Sequence, residues 1–535
     1  MAAITSAEVR RYTTRAALAR TEGGTMALLG EVYNTVFAGL VLLVMAGAIV
    51  LNLRSALGAG TGVGIPGMSA SGHPGIPALD AGATLLLTLA AGLLSVEATV
   101  GPVVMTRPQT VWWLGLPLDR RGFIQPGFMR SALWPAVGAI ILVVPLALGA
   151  GGSASGSAGG ASPHIGATAA AVATGVALAL CLYALAALAQ ISGHTKMLRD
   201  VAGIVMVAAP LLLAADAVLA AGGTRVAWEW PVYLPTGWPL LAAAGAVWPL
   251  LAAVVAVLGL GLAFRRLPGL TTNALKASAA AGSHVAGSVL SMDSGELSRA
   301  LSSAAGSTSR AGRFLVPRVS STPGAALLRG QLILLLRNPG GLARALVLAT
   351  VPGIVASVQA LSAPGLVAIV MLFCAYFAAA ALASVARQAA GNPSLNALLP
   401  LDEKTVRRLH WVWPAAGMAV WMAVCATLLL VLAGGSWLLV ILAICTGPGV
   451  AAAAIRAAYR PAPDWTMPAI SSAMGPIPTG AIRGLIAGPD AALIAFLPVG
   501  VCMLAGGVPP IALPAALGLS ALMYLWGTRV RKRAD

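Results

Sequence analysis

Residues 366–386 read LVAIVMLFCAYFAAAALASVA, twenty-one consecutive positions without a charged side chain. At 1.5 Å per residue a helix of that length is roughly 30 Å long, the thickness of a bilayer's hydrocarbon core. Apolar and polar residues do not alternate along it, which excludes a strand of a membrane barrel. Its backbone hydrogen bonds must therefore be made within the segment. The stretch reads as a transmembrane helix.

Eleven further runs of this kind surround it. They lie near residues 36–53, 82–104, 133–150, 166–188, 201–221, 240–264 and 345–361 on one side, and 414–432, 438–455, 491–505 and 511–526 on the other. The expected fold class is an all-α polytopic membrane protein of about twelve transmembrane helices. Composition agrees: 59% of the 535 residues are hydrophobic and 9% are charged, where soluble domains average about 25% charged. Mean hydropathy is +0.89. A soluble enzyme is excluded. The abundance of Ala and Gly fits a high-GC bacterium such as an actinobacterium.

The net charge of +17 would suggest a nucleic-acid partner in a soluble protein. Its distribution says otherwise. With the N-terminus inside, 31 of the 33 Lys and Arg residues fall in cytoplasmic segments, and only Arg54 and Arg225 fall outside. This is the positive-inside rule, so the excess charge sets topology and attracts anionic lipid, and no nucleic acid is implied. The expected location is the bacterial plasma membrane, multi-pass, with both termini cytoplasmic. The first thirty residues carry Arg10, Arg11, Arg15 and Arg20 but no short apolar core with a cleavage site, so the first span is read as the first anchor. All five cysteines lie inside apolar runs and none are paired at metal-ligand spacing, so neither disulfides nor a metal site is expected.

A long polar gap divides the spans six and six. The expected domains are a cytoplasmic segment (1–34), a first six-helix half (35–264), a cytoplasmic linker (265–344) and a second half with a basic tail (345–535). Residues 277–321, rich in Ser, Ala and Gly, read as a flexible linker. Residues 325–344 differ: Arg329, Arg337 and Arg344 recur between leucines, as in a helix lying in the membrane interface, and Pro339-Gly340-Gly341 would bend the chain into the seventh span. Residues 461–488 read as a cytoplasmic loop.

Internal repetition supports a duplication. Leu116-Pro117-Leu118-Asp119-Arg120-Arg121 follows the second span, and Leu399-Pro400-Leu401-Asp402-Glu403-Lys404 follows the eighth. Each precedes a Trp-Pro, at Trp134-Pro135 and Trp413-Pro414. Even-numbered halves that both start inside would be parallel pseudo-twofold repeats. Proline disfavours helix in the residue before it, and the Asp that follows can cap a new helix. A short cytoplasmic helix is expected to begin near Asp119 and near Asp402, exposing Arg120 and Arg121 in one half and Glu403, Lys404, Arg407 and Arg408 in the other.

These residues carry a resemblance. A six-span half with an interfacial helix, and a loop after its second span built on Pro-Leu-Asp-Arg/Lys, resembles the permease subunits of ABC-2-type exporters, here at residues 112–121, 397–404 and 325–344. The whole chain is similar to an actinobacterial group that fuses two such halves. The resemblance implies that each loop is a coupling element pressed by a separate ATP-binding subunit, in two copies, with ATP and magnesium bound on that partner. It implies no substrate. The chain itself has no GxxxxGK[ST] phosphate loop and no LSGGQ-like segment, so it is not expected to be an enzyme.

The alternative is a secondary transporter of the major facilitator type. Gly115, Asp119, Arg120 and Gly122 match that family's G-x-x-x-D-R-x-G loop, but Phe123 and Ile124 stand where its basic pair should follow. Such a carrier also needs titratable groups within spans. Glu97, about two turns from the inner end of the second span, and Asp216, about one turn from the outer end of the fifth, are the candidates; the second half offers no acid clearly within a span. An intramembrane enzyme would need a nucleophile with a nearby His, and no such grouping occurs.

Overall fold

The computed structural model describes residues 5–19, 78–150, 165–223, 230–290, 322–358, 362–392, 398–460, 469–472, 475–478 and 487–529. The protein is an all-α polytopic membrane protein. Among the described residues nine helices are long and apolar enough to cross a membrane, and three shorter apolar helices accompany them. The nine correspond to the second through tenth expected spans. The last two expected spans are the shorter helices Pro489–Ala505 and Ala512–Gly527, of 17 and 16 residues. The expected first span, residues 36–53, lies outside the described residues, as do residues 291–321 of the linker and the basic tail from 530.

By contact the chain forms two compact units. The first comprises Met1–Gly60, Gly82–Ala209 and Trp228–Ser307, the second Thr61–Ala81, Pro210–Ala227 and Thr308–Asp535. The expected six-and-six division by sequence order therefore does not coincide with the units: the end of the fifth span, from Pro210, groups with the second.

The first unit begins with α1 (Ser6–Ala19), whose Thr5 and Glu8 form a reciprocal cap: the Thr5 N–H donates to Glu8 Oε2 at 2.8 Å and the Glu8 N–H to Thr5 Oγ1 at 3.4 Å. Then follow α2 (Ala78–Val100, from Gly82), α3 (Arg107–Trp112), α4 (Arg121–Ser131), α5 (Leu133–Ala150), α6 (Ile165–Ser192), α7 (Thr195–Ala221, as far as Ala209), α8 (Trp238–Ala243), α9 (Leu251–Arg266) and α10 (Thr272–Leu290). Its core near the ends of α2 and α9 joins Val103, Met105, Phe123, Ile124, Phe128, Tyr183, Leu267, Leu270 and Leu275.

Three expectations in this unit need correction. The second span stops at Val100 rather than Val104, because Gly101 adopts φ +86° and the chain runs on non-helically through buried Pro102, Val103 and Met105. The sixth span is interrupted after Ala243: Gly245 takes φ +99° and Pro249, which has no N–H to donate, follows Trp248. The start of the supposed flexible linker is helical. In α10, Leu275, Ser278 and Ala279 are buried, so this Ser/Ala-rich stretch has its own place in the core.

The second unit contains α11 (Pro323–Leu336), α12 (Pro339–Ser357), α13 (Pro364–Leu382), α14 (Ser384–Ala390), α15 (Glu403–Ala433), α16 (Trp437–Ala458), α17 (Pro489–Ala505) and α18 (Ala512–Gly527). Within residues 461–488, read as a loop, β1 (Ala469–Ser472) and β2 (Gly475–Pro478) form an antiparallel ribbon with Ile470 opposite Ile477. One continuous core runs from Leu335 to Met523, rich in alanine and anchored by Met371, Met418, Met422 and Leu442. Small residues let backbones approach closely, which is how helices gain packing energy where no water is displaced.

The interfacial helix is shorter than expected. It ends at Leu336; the bend falls at Arg337 and Asn338, and Asn338 Oδ1 caps the next helix by accepting the Gly341 N–H at 3.4 Å. Pro339 begins the new helix rather than breaking the old one, since a first helical residue needs no N–H partner. Arg344 consequently belongs to the seventh span, where its Nε donates to the Gly340 carbonyl at 3.1 Å.

Candidate functional site

In both Leu-Pro-Leu-Asp segments the Leu-Pro-Leu residues are bends, and each segment leads into a membrane span. In the first unit Leu116, Pro117, Asp119, Arg120 and Arg121 are exposed, while Leu118 packs inward on the core beside Trp113, which stacks on Phe123 at 5.1 Å. Asp119 Oδ1 accepts the Arg121 N–H at 3.0 Å. In the second unit Pro400, Asp402, Glu403, Lys404 and Arg408 are exposed, and Asp402 Oδ2 accepts the Thr405 N–H at 3.2 Å. Hydrogen bonding to Thr405, helped by the nearby Arg408 guanidinium, holds the Asp402 carboxyl below the usual carboxylate range.

The short helix expected near Asp119 is α4, of 11 residues, whereas none separate from the span forms after Asp402. After Asp402, α15 continues for 31 residues as one helix. After Arg120, α4 and α5 are parted only by Ala132, and together they make a single span. Proline does not divide α15, although Pro414 lies inside it. Each motif therefore leads directly into a membrane span, and in the second Asp402 caps it.

Each post-motif helix also receives an earlier helix of its own unit. In the first, α1 packs Val9 on the core and Arg10 Nη1 donates to the Gly122 carbonyl at 3.4 Å. In the second, Trp413 Nε1 of α15 donates to the Leu328 carbonyl of α11 at 2.8 Å. Arg329 of α11 and Arg337 just after it are exposed.

Arg407 departs from its expected role as an exposed docking residue. Its side chain is 14% exposed, pairs with Glu403 at 2.6 Å, donates to the Arg529 carbonyl at 2.8 Å and lies over the Tyr459 ring. The Tyr459 hydroxyl is 2.6 Å from His410 Nδ1. Beside this cluster, Arg456 pairs with Asp490 at 2.9 Å and lies 3.5 Å over the Trp526 ring. Asp490 also accepts the Gly488 and Ala491 N–H groups at 2.8 and 2.7 Å. Sequence reading passed over this ion pair. Its partners stand 34 positions apart, and Asp490 falls just before an apolar run.

The intramembrane acids separate in kind. Glu97 sits in the last turn of α2, one turn from its end rather than two. Both its carboxylate oxygens are buried and neither has a hydrogen-bond partner. Asp216 is buried in α7 at 3% exposure. Asp80, unnoticed in the sequence because the span was begun at Gly82, is buried in the first turn of α2, where a helix dipole favours a carboxylate. Among the described residues no three His, Cys, Asp or Glu side chains gather to hold a metal ion.

Residues 78–468 match the Family of unknown function (DUF6297). The chain belongs to this family. The DUF6297 match includes Glu97 and both Leu-Pro-Leu-Asp segments. Neither the curated proteins nor the solved structures contain a match to the chain.

Proposed function

We propose that this DUF6297 chain is the membrane-spanning permease of an ABC-type exporter, driven through its two Leu-Pro-Leu-Asp segments by a separate ATP-binding subunit. The observation that carries the reading is the recurrence of the segment: the same four residues, with Pro and Asp exposed in both copies, each time leading into a membrane span. A force applied at Asp402 acts on a rigid rod of 31 residues, roughly 46 Å long, whose other end is Ala433. Alternating access then follows from tilting these rods. ATP and magnesium reside on the partner, two copies of which match the two segments, and the motif end faces the cytoplasm of a bacterial plasma membrane.

The ring faces of Phe123 and the side chain of Ile124 fill the core of the first unit. This weighs against the major facilitator reading, in which a basic pair would stand there in solvent. The test is charge reversal at exposed Arg120 and Arg121, to Glu. The expected result is loss of ATPase binding, or of ATP-driven export, by tenfold or more with membrane insertion intact. A variant that inserts, exports and holds its partner like the native chain contradicts the proposal.

A further inference from the structure

The end of α2 is built unlike an ordinary helix terminus. Gly101 turns the chain at φ +86°, and a Cβ there would lie 2.6 Å from Gln190 Nε2, so only glycine fits. The non-helical residues that follow are clamped from three helices. Gln190 of α6 accepts the Val103 N–H at 3.2 Å and donates to the Val103 carbonyl at 3.3 Å, and Ser278 of α10 donates to the same carbonyl at 3.1 Å. Ser131 of α4 donates to the Pro102 carbonyl at 2.8 Å. Tyr183 of α6 donates to the Phe128 carbonyl at 2.7 Å.

Ser131 and Tyr183 also hydrogen-bond to each other at 2.7 Å. Glu97, one turn back on α2, receives none of these hydrogen bonds, although Tyr183 lies within its electrostatic reach. Among the described residues no Lys or Arg side chain hydrogen-bonds to it. The carbonyl end of the helix adds further negative potential. A bare carboxylate in such a place is strongly disfavoured. One turn on, the helix gives way at Gly101 to unwound backbone. Unwound segments and half-helix carbonyl ends are where membrane transporters hold sodium ions and protons.

We propose that Glu97 is a cation site, at which the buried carboxyl holds a single small hard cation, a proton or a sodium ion. The site lies wholly within the first unit and does not depend on the ATPase reading. Among the described residues Tyr183 is the titratable group within its electrostatic reach.

The experiment is infrared spectroscopy of the purified full chain, native and Glu97→Gln, in sodium chloride and in choline chloride, with radiosodium binding measured in parallel. A protonated-carboxyl stretch in the native chain, lost in Glu97→Gln and indifferent to sodium, identifies the proton. An ionised carboxylate pair that shifts with sodium, together with about one bound sodium per chain that the variant loses, identifies the metal cation. An ionised Glu97 band insensitive to sodium overturns the proposal. Thermal unfolding of each variant checks its fold; should Glu97→Gln not fold, Glu97→Asp moves the same band and serves in its place.

Discussion

A Cβ on Gly447 would lie 2.8 Å from the backbone of Met418 and Ala419, and one on Gly527 would lie 2.5 Å from the Ala452 carbonyl oxygen. At these points α16 meets α15 and α18 backbone to backbone. A side chain would force whole helices apart, since no flexible group is there to yield. Gly447→Val is expected to lower stability in mild detergent by about 1–3 kcal/mol, the usual cost of overpacking. Gly518→Ala, with nothing within 4 Å, is expected to be neutral or slightly stabilising through helix propensity. Thermal melts of the two variants beside the native chain test the contrast; equal losses at both sites would contradict it. None of this was legible in the sequence, where Gly447 and Gly518 are alike as glycines within apolar runs.

At the scale of the element, Asp402 starts α15, and its hydrogen bonds to Thr405 hold its carboxyl below the usual carboxylate range. A carboxyl lowered by folding contributes stability that is fully present above its unfolded value and is lost as pH falls through the folded one. Asp402→Ala is therefore expected to speed hydrogen exchange at the Thr405 amide at neutral pH. In acid, below the folded value, the native chain and the variant should converge. A difference that persists unchanged into acid would show that the carboxylate does not cap the helix.

The elements themselves were readable because a helix in lipid satisfies its own backbone, so an uncharged run of sufficient length admits one interpretation. Their interruptions were not. Gly101 and Gly245 break helices inside apolar sequence, where no charge or polar cluster marks the boundary. The helicity of α10 was hidden for the opposite reason: Ser, Ala and Gly resemble a linker unless a core waits to receive Leu275 and Ala279. The Leu-Pro-Leu-Asp repeat was legible, its direct fusion to the membrane helices was not, and the Arg456–Asp490 pair needed three dimensions to be seen.

At the scale of the molecule, each unit presents the same device. A Leu-Pro-Leu-Asp turn with exposed Pro and Asp leads into a membrane span, and an earlier helix of the unit lies against that span, through Arg10 and Gly122 in one and Leu328 and Trp413 in the other. A chain that bears two such turns and no phosphate loop is expected to work with a partner that supplies the nucleotide chemistry. The most direct test is purification of the tagged native chain in mild detergent, with mass spectrometry of what accompanies it. The account predicts an ATPase carrying phosphate-loop and LSGGQ-like motifs, at two copies per chain, that is lost when Asp119–Arg121 and Asp402–Lys404 are replaced by alanine. A monodisperse native chain with no ATPase, equally active in ATP-depleted vesicles, would contradict it.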